Sequence, residues 1–299
     1  MFHKNIPNNN EDIIRFLAKN FAGTKKVRNT ILFCSVVIGI VAITMVFGIS
    51  CGKIQAEEIR LTRENGTASS GRIEDGTEEQ YAKLKQLDYI KRVGKSIFVG
   101  EATDISDDNA KTICDVVWAD SESWNNFLKP AYTNIIGSYP QKKDEILLSK
   151  RALKKLGISE PEQGMEINLD VYKGLFEHSK EKFKLCGWYT DSGNKLAIGY
   201  ISHDKINELN LEKGPYTLLF SQSNHLSRSK TEEKLYQALP MKSADQKIYV
   251  SDTAQYTAVS KFAGGYEMVI LGTLGILCGI YFLVRNVLWI SMSEDIQNL

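Results

Sequence analysis

The chain of 299 residues has little of what metal or disulfide chemistry requires. Its five cysteines stand singly at Cys34, Cys51, Cys114, Cys186 and Cys278. There is no CxxC pair and no even framework, so neither a cysteine zinc site nor a disulfide scaffold is expected, and one Cys114 to Cys186 bridge stays open. The four histidines, His3, His178, His203 and His225, never fall at i and i+4 and none sits in HExxH, so no metal centre is expected. A surplus of one charge sign is also lacking. Lys and Arg total 37 and Asp and Glu 36, for a net charge of +1, and the central part of the chain by itself is close to neutral. That leaves no electrostatic footprint for nucleic acid. Nucleotide and acyl-enzyme signatures are incomplete. GKS at 94–96 has Tyr89 where the first glycine of a P-loop belongs, and the SxxK patterns at Ser179, Ser192, Ser202 and Ser227 have no KTG after them and read as helix starts and turns. No catalytic residue, cofactor-binding residue or metal ligand is therefore assigned.

What the chain has is two long apolar runs. The first, ILFCSVVIGIVAITMVFGISC at 31–51, carries no charge and as a helix covers about 31 Å, the hydrocarbon thickness of a bilayer. The second, MVILGTLGILCGIYFLV at 268–284, covers about 26 Å and continues through VLWI, with Arg285 snorkelling and Trp289 at headgroup level. Lys4, Arg15, Lys19, Lys25, Lys26 and Arg28 precede the first run, against Lys53 and Arg60 just beyond it. This asymmetry predicts a cytoplasmic amino terminus, and two spans return the carboxyl terminus to the same side. The first run starts too late and is too long for a cleaved signal peptide, so it is expected to stay as an anchor in the plasma membrane. The expected organisation is a cytoplasmic amphipathic segment at 1–29, a first transmembrane helix at 30–51, an extracytoplasmic domain at 52–265, a second transmembrane helix at 266–290 and a cytoplasmic tail at 291–299.

Ile13, Ile14, Phe16, Leu17 and Phe21 fall on one helical face, with Arg15 and Lys19 opposite and Asn10 as a cap. This reads as a helix lying on the inner membrane surface against lipid, or as a short helix packed on another protein. In the second run Gly272, Gly275 and Gly279 form a small-residue stripe that lets another helix approach. The intervening stretch mixes helix and strand. A helix is expected from Thr77 through Ile90, and strands at 96–100, 113–119, 145–148 and in MEINLDV, FKLCGWYT, LAIGYIS, YTLLFSQ and KIYVSD. A helix at 150–156 stops at Gly157, and SHDKINELNLEKG and SKTEEKLYQALP have helical composition. Residues 65–79, rich in Gly, Ser, Thr and acids, are expected to be mobile. Lys142, Lys143, Lys150, Arg151, Lys154 and Lys155 read as a solvated helix face. The fold class is α+β, as one domain or two subdomains.

These segments carry a resemblance. RFLAKNFAGTKKVRNTILF, a surface helix running into a basic lead-in to the first span, resembles the start of FtsX/MacB-type permeases, the membrane subunits of mechanotransmission ABC transporters. GSYPQKKDEILLSKRALKKLGISEPEQGMEINLDV at 137–171 is similar to their periplasmic core domain, and FKLCGWYTD and LAIGYIS resemble the strands that follow. RNVLWISMSEDIQNL resembles the cytoplasmic extension of the second span and then stops, where the family continues with an ATPase-contacting turn and further spans. The likeness thus extends to the amino-terminal part of such a permease. It implies a cytoplasmic ABC ATPase partner, packing with other permease helices or a second permease copy, and coupling to peptide, lipoprotein or cell-wall targets outside the membrane. On this basis two helices are expected to be insufficient for ATP-coupled work. Glu294 and Asp295 lie where the ATPase-coupling end would begin. Two rival readings share the two-span plan. A polysaccharide co-polymerase has long coiled helices and a proline-rich lead-in to its second span, whereas AVSKFAGGYEMVI has no proline; a two-span sensor would carry an output domain after its second span.

Overall fold

The computed structural model describes residues 14–15, 19, 26–104, 112–172, 178–193, 197–223, 226–243, 245–251 and 266–297. It divides into two units, Met1–Ile54 with Lys261–Leu299, and Gln55–Ser260.

In the first unit, an uninterrupted apolar stretch with no proline lets helix α1, Lys26–Asn65, run without a break through the whole of the first apolar run. Thr30, Ser35 and Thr44 donate their hydroxyl protons to the carbonyls of Lys26, Ile31 and Ile40, at 2.9, 2.6 and 2.8 Å, so these polar groups need no water. The other long helix, Tyr266–Gln297, is the last element of the fold. The apolar parts of the two helices have mean hydropathies of 2.7 and 1.7, and only 6% of each is buried within the chain. A core helix of a soluble protein would be mostly covered; these two are long and apolar enough to cross a membrane. They run antiparallel, with Ile280 over Gly39 and Gly272 facing Val46.

The second unit is one sheet of ten strands: β1 Gly71–Gly76, β2 Ile90–Asp104, β3 Cys114–Ala119, β4 Thr133–Gly137, β5 Glu145–Ser149, β6 Glu166–Tyr172, β7 His178–Thr190, β8 Ile198–Ile201, β9 Tyr216–Gln222 and β10 Ile248–Val250. The order is β10-β1-β9-β2-β3-β8-β5-β7-β4, and β6 bridges β2 and β7. That bridge closes a ring of six strands, β2-β3-β8-β5-β7-β6. Pairing is antiparallel except for β3 with β8 and β5 with β7. Gly100 marks the register shift where β2 passes from β3 towards β6; a Cβ there would stand 2.2 Å from the Tyr172 carbonyl oxygen.

Alternation along the strands separates two cores. Ile146, Leu148, Leu218 and Phe220 enter the larger one, beneath helices α2 Glu78–Leu84, α3 Lys150–Lys155, α4 His203–Glu208 and α5 Arg228–Ala238. Leu147, Tyr200 and Leu219 enter the smaller, aromatic one, covered by a π-helical turn Ser123–Leu128 and a 3₁₀ turn Lys129–Ala131. The closing helix, Tyr266–Gln297, is α6.

Several expectations change. The mixed α+β reading is confirmed as one sheet, not two subdomains. The helix starting at Thr77 has its capping box, Thr77 with Gln80, but ends at Leu84, and Ile90 opens β2. Residues 65–79, expected to be mobile, hold β1, which lies between β9 and β10 with Ile73 fully buried opposite Leu218 and Ile248. Cys114 and Cys186 are both free thiols on different cores. The basic cluster is the solvated face expected, with Lys142, Lys143, Lys150, Lys154 and Lys155 exposed and Arg151 half-buried; within it Arg151 reaches Asp191 at 3.5 Å, Lys143 reaches Glu208 at 3.4 Å, and Lys155 donates to the Thr112 and Ile113 carbonyls.

Candidate functional site

The residues singled out in the sequence do not converge. Ile14 is helical and exposed, whereas Ile13, Phe16, Leu17, Phe21 and Asn10 lie outside the described residues. Glu294 and Asp295 fall within the last turns of α6. Of the glycine stripe, a Cβ at Gly272 would lie 3.4 Å from the Val46 side chain, while one at Gly275 or Gly279 would meet nothing within 4 Å. The close approach is instead at Gly39, where a Cβ would lie 2.0 Å from the Ile280 side chain. Among the SxxK serines, Ser202 caps α4, Ser227 precedes α5, and Ser179 donates to Glu181 at 3.0 Å. Ser192, the fourth, lines the cavity described next.

The site the sequence did not reveal is a cavity of about 330 Å³ on the aromatic face of the sheet. Its wall comes from the end of α1 and the following turn, Arg63 to Thr67, and from six strands. β1 contributes Arg72 and Glu74, β2 Ser96 and Phe98, and β3 Asp115 and Val117; Tyr189, Ile198, Tyr200, Thr217 and Leu219 come from β7, β8 and β9. Period-two alternation explains why residues two apart line it together. The turn after α1 is fixed by backbone bonds, Ala68 N–H to Phe127 O at 2.7 Å and Ser70 N–H to Phe220 O at 2.8 Å.

Tyrosines form the floor. The Tyr132 and Tyr200 hydroxyls lie 2.6 Å apart, Tyr189 donates to the Ile198 carbonyl at 2.8 Å, and the Tyr132 and Tyr189 ring centroids are 4.1 Å apart. Trp124 sets its edge on Tyr200 at 5.0 Å. Burial pushes the Tyr132 phenol up to about 12 and those of Tyr189 and Tyr200 well above their ordinary range, so all three stay neutral and the cluster offers hydrogen bonds and apolar surface, not a base. Three carboxylates stand on the wall, Glu74, Asp115 and Asp191. Burial raises the pKa of Asp115, with Glu101 beside it adding to the shift, and burial likewise raises that of Asp191.

Among the described residues no group of three His, Cys, Asp or Glu side chains is placed to hold a metal ion. The arrangement is one for binding. Beyond the last β3–β8 pair, Val117 with Tyr200, the Tyr139 hydroxyl takes the place of a strand. It accepts from Ala119 N–H at 2.8 Å and donates to Ala119 O at 2.9 Å.

No family model and no curated protein matches the chain. Among solved structures, the chain is similar to two domains from outside the cytoplasm. The periplasmic region of MacB from Actinobacillus actinomycetemcomitans is 13% identical with a TM-score of 0.44, over 64% of this chain and 94% of that one. The extracellular domain of the noncanonic ABC-type transporter YknZ from Gram-positive bacteria is also 13% identical, with a TM-score of 0.35 over 52% and 77%.

Proposed function

We propose that the chain is a membrane subunit, or the amino-terminal part of one, of an ABC transporter of the FtsX/MacB type. In this reading it couples ATP hydrolysis by a cytoplasmic partner to the sheet domain outside the membrane, which acts on peptide, lipoprotein or cell-wall targets. The observation that carries the reading is one domain strung between two apolar helices that the chain leaves uncovered. Buried apolar surface is what a soluble chain needs, and helices this exposed call for lipid or other helices around them. The open faces at Gly275 and Gly279 give such helices a place to pack. Glu294 and Asp295 are proposed as the start of the ATPase-facing end, and the 13–21 face as a membrane-surface contact.

Affinity capture from membranes that also contain the P-loop ATPase of a neighbouring gene tests this. Stoichiometric co-purification, with cysteines introduced at 66–70 labelled from outside intact cells and those near Lys26 not labelled, supports the reading. Absence of the ATPase from the purified chain, or labelling of both positions from outside, overturns it.

A further inference from the structure

We infer that the cavity on the aromatic face binds an organic ammonium group carried on a small apolar body, with Asp115 as its counter-ion. The space, about 330 Å³, equals the liquid volume of about eleven waters and falls within the range of small-ligand pockets. Its surface is predominantly apolar, and Phe98 projects there with 56% of its surface exposed. A large exposed aromatic inside a concavity is a contact awaiting a partner.

Pairing decides which wall charges are left for that partner. The cavity is lined by Arg63 and Arg72 and by Glu74, Asp115 and Asp191. Arg72 is held by Glu74 at 3.0 Å and lies over the Tyr249 ring, and Asp191 is held by Arg151 at 3.5 Å, which leaves Asp115 and Arg63, one charge of each sign. Among the described residues no hydrogen bond or ion pair reaches the Asp115 carboxylate, which is half-buried; Lys155, whose ammonium is held by the Thr112 and Ile113 carbonyls, attracts it without bonding to it. Its strand register sets it opposite Glu101, a like charge that an arriving cation also offsets. A partly desolvated carboxylate with no hydrogen-bond donor on it gains most from a charge-assisted hydrogen bond. A hard metal ion is a poor fit, since it asks for six or more oxygen ligands and the neighbouring phenols are committed to one another and to Ile198. An ammonium needs one carboxylate, and its apolar body finds Phe98, Val117 and Leu219.

The inference stands whether or not an ATPase partner is present, and its test needs none. The full chain in lipid nanodiscs is titrated calorimetrically with leucyl-leucine amide, a cation at neutral pH, and with its neutral N-acetyl derivative, against empty nanodiscs. Saturable one-site binding of the first, at least tenfold weaker binding of the second, and a tenfold or greater loss for the first alone in Asp115→Asn support it. Phe98→Ala weakens both ligands. Equal binding of the two compounds, binding unchanged in Asp115→Asn, or no saturable binding by a chain with a native circular dichroism spectrum overturns it.

Discussion

Replacing Tyr139 by Phe removes one oxygen atom and leaves two backbone groups without partners. The Tyr139 hydroxyl both accepts from the N–H and donates to the C=O of Ala119, a residue 2% exposed at the end of β3. β8 is too short to pair with it, as its last bond to β3 is at Val117. The buried N–H left unpaired costs roughly 1–3 kcal/mol and the lost donation about 0.5–1.5 more, so Tyr139→Phe is expected to destabilise the domain by roughly 2–4 kcal/mol. The Trp124 ring, 5.0 Å from Tyr139, provides the signal. Denaturant unfolding of the chain in nanodiscs, followed by tryptophan fluorescence, measures the loss as a lower midpoint at constant slope. Tyr172→Phe is the control, since Tyr172 is 38% exposed, and its change should stay within about 0.5 kcal/mol. A loss below that same figure for Tyr139→Phe would show that water replaces the hydroxyl and would refute the capping argument.

Further outcomes follow from other residues. Because burial and Glu101 raise the pKa of Asp115, wild-type stability is lost as pH rises through the folded value; Asp115→Asn is therefore expected to be the more stable protein at pH 7, with the difference closing below the ordinary aspartate value of 3.8 in melts taken across pH. Thr77→Ala breaks the capping box with Gln80 and should cost about 1 kcal/mol in the same unfolding assay. Gly100→Val sets a side chain against the Tyr172 carbonyl at the β2–β6 closure and should cost roughly 1–3 kcal/mol; an unchanged melt would mean that the ring is open in solution. Gly39→Leu pushes against Ile280 and should reduce cross-linking between cysteines placed on the two apolar helices, whereas Gly275→Leu, which meets nothing, should leave it unchanged.

Elements whose own residues alternate or carry caps were legible in the sequence. MEINLDV, FKLCGWYT and YTLLFSQ became β6, β7 and β9 because every second side chain is apolar, and Ser149 and Ser202 cap the short helices α3 and α4. β1 was not legible. GRIEDG is polar except for Ile73, and it is a strand only because β9 and β10, far along the chain, supply its partners. The extension of α1 past 51 did have a signal, the Glu57, Arg60, Glu64 spacing that pairs along a helix at i+3 and i+4, with Glu57 and Arg60 2.6 Å apart. The cavity had none, because Phe98, Asp115, Tyr132 and Tyr200 meet only through the strand order. The close helix approach at Gly39 was hidden for a similar reason: Gly39 and Gly48 stand too far apart in their apolar run to make a stripe, whereas the glycines at 272–279 do make one.

The account rests on coupling between a nucleotide site inside the cell and the sheet domain outside it. The most direct measurement is hydrogen–deuterium exchange of the chain in complex with its ATPase in nanodiscs, compared between trapped ATP and ADP states. The account predicts a change in exchange in the 66–70 turn and β1, where Ala68 and Ser70 tie the end of α1 to Phe127 and Phe220. Identical exchange across the whole sheet domain in the two states, in a complex whose ATPase is bound and turning over, would contradict it.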